Sequence, residues 1–193
     1  MKNIIFLFLL FSNIVNSQTL QYKITSNDSY IGDLKVTKTS VNNTLQIEVI
    51  SEVKVKLFIS IDLKYKLNCT YKNNQLLFSS VTTYVNGKIH STSETEKIGD
   101  YYTTTKNGHS SKSLNKITFS GALLYYCEPK GLTNIFSEFD NLEKPIKNIG
   151  INEYQITNPK NGHLSEYKYK NGILVSTTNH HTLLTFKLTK KIK

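Results

Sequence analysis

From Leu45 to Tyr71 the chain alternates apolar and polar residues with a period of two. Leu45, Ile47, Val49, Val53, Val55, Leu57, Ile59, Ile61, Leu63, Tyr65, Leu67, Cys69 and Tyr71 hold odd positions, and only Ser51 breaks the series. The even positions are mostly polar: Gln46, Glu48, Glu52, Lys54, Lys56, Asp62, Lys64, Lys66 and Asn68. Successive strand side chains point to opposite faces, so the pattern predicts a sheet with one buried and one wet face. Drawn out as one strand the run would span roughly 90 Å at about 3.3 Å per residue, too long for one domain. It must bend or turn. A two-residue hairpin would exchange the parity of the buried face, so the preserved parity points to a bent continuous strand or an odd-length turn.

Turn residues punctuate the rest. Asn-Gly stands at Asn86-Gly87, Asn107-Gly108, Asn161-Gly162 and Asn171-Gly172, with Asn42-Asn43 and Asn73-Asn74 in similar places. Asn-Gly between β-prone runs marks a hairpin, because both central residues of a type I′ turn need positive φ. A two-residue turn at Asn161-Gly162 would pair Ile156 with Tyr167 and Tyr154 with Tyr169; one at Asn171-Gly172 would pair Tyr169 with Leu174. These apolar residues then share a face, opposite Gln155, Lys168 and Lys170. Leu184, Phe186 and Leu188 form a last alternating strand. The Ser/Thr-rich flanks of Asn86-Gly87, Ser79 to Tyr84 and Lys88 to Glu96, show no clean apolar face and are expected to be solvated.

One segment departs from this rhythm. Leu123 to Cys127 reads as a strand ended by Pro129 and Gly131. Thr133 then stands as an N-cap, Ile135, Phe136, Phe139 and Leu142 recur at near-helical spacing, and Pro145 stops the run. This predicts a short amphipathic helix inside the 128–150 connection, a candidate lid. The expected fold is all-β: an antiparallel meander forming a strongly curved sheet or partial β-barrel, with that one helix. A membrane barrel does not fit, since Lys and Glu occupy the wet face and the tail ends Lys190-Lys191-Ile192-Lys193.

The N-terminus adds a destination. Met1-Lys2-Asn3, the apolar run Ile4 to Phe11, and Val15-Asn16-Ser17 before Gln18 have the three-part layout of a secretory signal peptide. The run is shorter than the roughly 20 residues of a membrane span. The expectation is a signal over 1–17 and one β domain over 18–193, periplasmic or secreted. The formal charge is +10 and every cation is Lys. Lys lacks the bidentate fork with which Arg reads phosphate and guanine, and these lysines are scattered, so no nucleic-acid partner is expected. Weak attraction to anionic lipid or polysaccharide fits the charge. In an exported chain Cys69 and Cys127 are a candidate disulfide, the alternative being an inert core thiol at Cys69. No metal or cofactor is expected. Cys/His metal spacing and a phosphate loop are absent, the adjacent His180-His181 would face opposite ways on a strand, and His90, His109 and His163 lie near turn tips.

Several stretches together resemble a family of small exported Bacteroidetes proteins of unknown function. They are Tyr30-Ile31-Gly32-Asp33-Leu34-Lys35-Val36-Thr37-Lys38-Thr39, Asn86-Gly87-Lys88, Leu124-Tyr125-Tyr126-Cys127-Glu128-Pro129, Phe136-Ser137-Glu138 and Tyr167-Lys168-Tyr169-Lys170-Asn171-Gly172. The resemblance implies an exported β-rich domain without an assigned activity. It also implies Phe at the place of Cys127, which weighs against a disulfide.

Chemistry is sparse. Glu128 and Glu138 flank the irregular connection and are a candidate acid–base pair, against a reading in which Glu128 caps backbone and Glu138 is solvated. Ser137 lacks a nucleophile-elbow context. Strand tyrosines, Tyr65 and Tyr125 among them, suit an apolar or sugar-binding pocket as well as ordinary core packing. The leading expectation is a non-enzymatic envelope protein that binds a lipid, a lipid carrier or another amphiphile. Tyr65, Tyr125, Phe136, Phe139, Glu128 and Glu138 are its candidate site residues. The competing readings are a packed protein-interaction module and a hydrolase of envelope polymers.

Overall fold

The computed structural model describes residues 15–56, 60–180 and 185–192. Most of the expected signal segment, the 57–59 connection and Leu184 lie outside the described residues. The first meander comprises β1 (Asn16–Ser26), β2 (Ser29–Val41), β3 (Thr44–Lys56), β4 (Ser60–Lys72), β5 (Gln75–Val85), β6 (Lys88–Ile98), β7 (Tyr101–Lys106) and β8 (His109–Ser113). The second comprises β9 (Asn134–Ser137), β10 (Leu142–Gly150), β11 (Glu153–Thr157), β12 (Leu164–Lys170), β13 (Ile173–His180) and β14 (Thr185–Lys190). Pairing of β1 with β14 joins them into one antiparallel sheet running β8 to β1, then β14 to β9. β8 and β9 are its two edges, so the sheet is curved but unclosed. Register shifts at Ile24/Thr25, Thr70/Tyr71, Thr83/Tyr84, Asn148/Gly150 and Lys168/Tyr169 add local bend and twist.

The parity of the 45–71 run is resolved by an odd-length connection. Lys56 pairs with Ser60, leaving three residues between β3 and β4, and Leu45 pairs with Tyr71, Ile47 with Cys69, Val49 with Leu67 and Val53 with Leu63. Ser51, the exception in the pattern, is buried on the same face opposite Tyr65. Asn86 (φ 50°) and Gly87 (φ 77°) form the expected two-residue turn between Val85 and Lys88. Gly32 answers to a close approach instead: a Cβ there would lie 2.0 Å from the Glu52 carbonyl oxygen on β3.

Asn161-Gly162 departs from expectation. Thr157 pairs with Leu164 and Tyr154 with Tyr167, a register two residues away from the predicted one, while Tyr169 does pair with Leu174. The connection is longer because Asn158 organises it: its backbone oxygen accepts from Gly162 N (2.8 Å) and its side-chain oxygen from Lys160 N (2.9 Å). The Ser/Thr-rich hairpin also differs from expectation. Ser79, Ser93 and Thr95 are buried with Val81, so β5 and β6 do have an inner face, made of small polar side chains.

The predicted helix is absent. Thr133 to Leu142 forms β9, a tight turn and the start of β10, with Leu142 opposite Ser137 and Pro145 opposite Asn134. The near-helical spacing came from a strand buried on both faces. Ile135 and Phe136 are adjacent yet both buried, and Phe136 N donates to Phe119 O (3.2 Å) on the passing chain. The only helical turn among the described residues is a 3-10 turn at Gly121–Tyr125, overlapping the segment read as a strand.

That turn belongs to the 114–133 connection, which leads from edge strand β8 to edge strand β9 across the concave face. It buries Ile117, Ala122 and Leu124 in the core. Leu76 N donates to Ile117 O (2.9 Å), and the Tyr126 hydroxyl lies 2.9 Å from both Gln18 O and Val36 O. This connection, not a helix at 133–142, covers the apolar face.

Candidate functional site

The curved sheet does not fill its interior. A cavity of about 510 Å³ lies between β4, the 3-10 turn, the β9–β10 hairpin and β11–β14. Small-molecule sites span about 300–1,000 Å³. Leu67, Leu124, Ile135, Ile156, Leu174 and Leu188 give it apolar walls. Tyr65, Tyr125 and Tyr167 give it flat aromatic ones, and Glu138, Asp140, Lys144, Asn158 and His163 its polar groups.

Glu138 is placed by the β9–β10 turn and is 3% exposed. Its Oε1 accepts from Ala122 N (2.9 Å), Cys69 Sγ (3.4 Å) and Ser120 Oγ. The Ala122 bond satisfies a free N–H at the start of the 3-10 turn, so one carboxylate positions both the turn and the cavity wall. The Tyr71 hydroxyl continues the network to Ser120. Gly121 leaves room for this arrangement: a Cβ there would come 2.8 Å from Glu138 Oε2, and the carboxylate would have to shift. Burial, and after it the Glu138 charge, pushes the pKa values of Tyr65, Cys69 and Tyr71 well above their ordinary values. Burial first, with the Glu138 charge after it, outweighs the lowering effect of a hydrogen bond with Ser165 and leaves Tyr167 pushed up to about 12. All four remain protonated at neutral pH.

The same turn closes the open sheet without a ladder. Asn141 sits at φ 53°, a left-handed conformation that Asn tolerates. Its side-chain oxygen accepts from Ser93 Oγ (2.7 Å) and Thr95 Oγ1 (3.1 Å), and its amide donates to Thr105 O (3.1 Å) and Glu94 O (3.3 Å). Lys106 of β7 donates to Phe139 O (2.8 Å) and pairs with Asp140 (3.2 Å), which also pairs with Lys144 (2.6 Å). Burial works to raise the Asp140 pKa, but hydrogen bonds and charge from Lys144 and Lys106 together outweigh it and hold the carboxyl below its ordinary value.

Of the residues singled out in the sequence, Tyr65, Tyr125, Phe139 and Glu138 therefore meet at the cavity. Phe136 is a core residue, 5% exposed. Glu128 is outside the cavity wall; it accepts from the Tyr154 hydroxyl (2.9 Å) and pairs with Lys130 (3.4 Å). The candidate disulfide is corrected: both thiols are free, Cys69 buried beside Glu138 and Cys127 exposed. Glu138 is not solvated either, because the residues expected to make a helix instead fold it inward. Asp140, Asn141 and Lys144 gave no sequence signal, since their roles arise from contacts between distant segments. Tyr167 was visible only as one of several strand tyrosines. Among the described residues no group of three or more His, Cys, Asp or Glu could hold a metal ion, and no helix is long and apolar enough to cross a membrane.

No curated protein matches the sequence. A crystal structure of a β-barrel-like protein of the domain of unknown function DUF1849, from Brucella abortus, is similar in fold with a TM-score of 0.59. The similarity covers 93% of this chain and 97% of that one at 9% identity. Residues 22–191 match the domain of unknown function DUF6134, and the chain belongs to that family.

Proposed function

We propose that this is an exported envelope protein that holds an amphiphilic ligand, a lipid or a related carrier molecule, inside its curved sheet. The observation that carries the reading is the cavity of about 510 Å³, apolar and aromatic over much of its wall and polar at the β9–β10 turn. A core packed solid would have argued for a purely structural module. Export rests on the layout of Met1 to Ser17. Binding without turnover is the simpler reading of the side chains. Glu138 lines the cavity with its Oε1 already engaged, while Glu128 is tied to Tyr154 and Lys130 outside the wall. A general acid–base pair needs both carboxyls at one bond.

The test is native mass spectrometry of the protein purified without detergent from an envelope fraction. The expected result is a non-covalent adduct of a few hundred daltons that is lost on organic extraction. A single unliganded mass, together with no uptake of lipids extracted from the same envelope, overturns the reading.

A further inference from the structure

We propose that the ligand's head is an organic ammonium cation, seated against Glu138 and walled by Tyr65, Tyr125 and Tyr167. This rests on the reading of the cavity as an amphiphile site and adds the chemistry of the head.

The first observation is the free side of a buried carboxylate. Glu138 is 3% exposed and its hydrogen bonds from Ala122, Cys69 and Ser120 all end on Oε1. Oε2 takes no part in these bonds and lies beside Gly121, which lines the cavity together with Glu138. No described ion pair includes Glu138, while the two lysines near the same turn, Lys106 and Lys144, are both held by Asp140. A buried carboxylate with one oxygen outside those bonds and no lysine paired to it favours a ligand that brings the charge.

The second observation is aromatic. Tyr65, Tyr125 and Tyr167 line the same cavity, and the Glu138 charge acts on all three phenols. Ring faces attract ammonium groups, and several rings around a carboxylate suit such a cation. An anionic head would meet Glu138 as a like charge, and an alcohol would gain a hydrogen bond but no charge pairing.

The test is calorimetric titration at pH 7 with decylamine, decanol and decanoate, which share a tail and differ in head. The net charge of +10 would by itself favour decanoate, so a preference for the amine must come from the site. Decylamine is expected to bind at least about tenfold tighter than decanol, with decanoate weakest. Glu138→Gln is expected to bring decylamine to the level of decanol, and Tyr65→Leu to weaken decylamine several-fold more than decanol. Decanol or decanoate binding the native protein as tightly as decylamine overturns the ammonium head and leaves the cavity reading standing. Absence of binding by all three overturns both. The native-protein series decides the matter even if Glu138→Gln does not fold.

Discussion

Glu138 and Asn141, three residues apart on one turn, do different work. Glu138 turns inward and holds the 3-10 turn through Ala122 N; Asn141 turns toward β6 and β7 and bonds both side chains and backbone there. Asn141→Ala removes hydrogen bonds to buried partners and places a Cβ residue without a polar side chain at positive φ. The expected loss is about 2–4 kcal/mol in urea unfolding. Asn141→Gly keeps the backbone conformation and is expected to cost less, so an equal loss in both would assign the whole effect to the hydrogen bonds. Gly121→Ala tests the cavity wall. Its Cβ would stand 2.8 Å from Glu138 Oε2, so the carboxylate must move. Binding of decylamine is expected to fall at least about tenfold, while unchanged affinity would show that Oε2 does not touch the ligand.

At the scale of elements, the strands were largely legible and the connections were not. Period-two alternation over 45–71 carries both the face and the odd-length connection, because parity is conserved only if the number of residues between paired strands is odd. Asn86-Gly87 and Asn171-Gly172 likewise carry their turns in local chemistry. Asn161-Gly162 does not, because Asn158 captures the backbone of a longer loop. The false helix at 133–142 has a similar origin. Periodicity reports how many faces are buried, and β9 is covered on both, so Ile135 and Phe136 imitate a helical stripe. Glu138 looked solvated for the same reason. Gly32 is the element-scale residue with the sharpest consequence. Gly32→Ala sets a Cβ 2.0 Å from the Glu52 carbonyl, which only separation of β2 from β3 can relieve. The expected cost is about 2–4 kcal/mol, read as a lower urea midpoint. A midpoint within error of the native protein would mean that the two strands are not this close.

The described residues form an open sheet of fourteen strands whose ends are held together by a turn. That closure should depend on pH. The Asp140 carboxyl titrates below its ordinary value when folded, so its contribution is complete above the unfolded-state pKa of about 3.9 and is lost as pH falls through the lower folded value. Amide exchange at 138–142 is expected to accelerate below about pH 4 relative to the β3–β4 core, and Asp140→Asn should flatten that dependence. Parallel acceleration in both regions would assign acid sensitivity to the whole fold. Closure matters because the turn that makes it also forms a wall of the cavity on which the function rests. The most direct test of that cavity is titration of the folded protein with decanol by calorimetry at several temperatures. The expected result is saturable binding of one molecule per chain with a negative heat-capacity change, the mark of apolar surface leaving water. Unsaturable uptake, or no heat-capacity change, would contradict a ligand cavity inside the curved sheet.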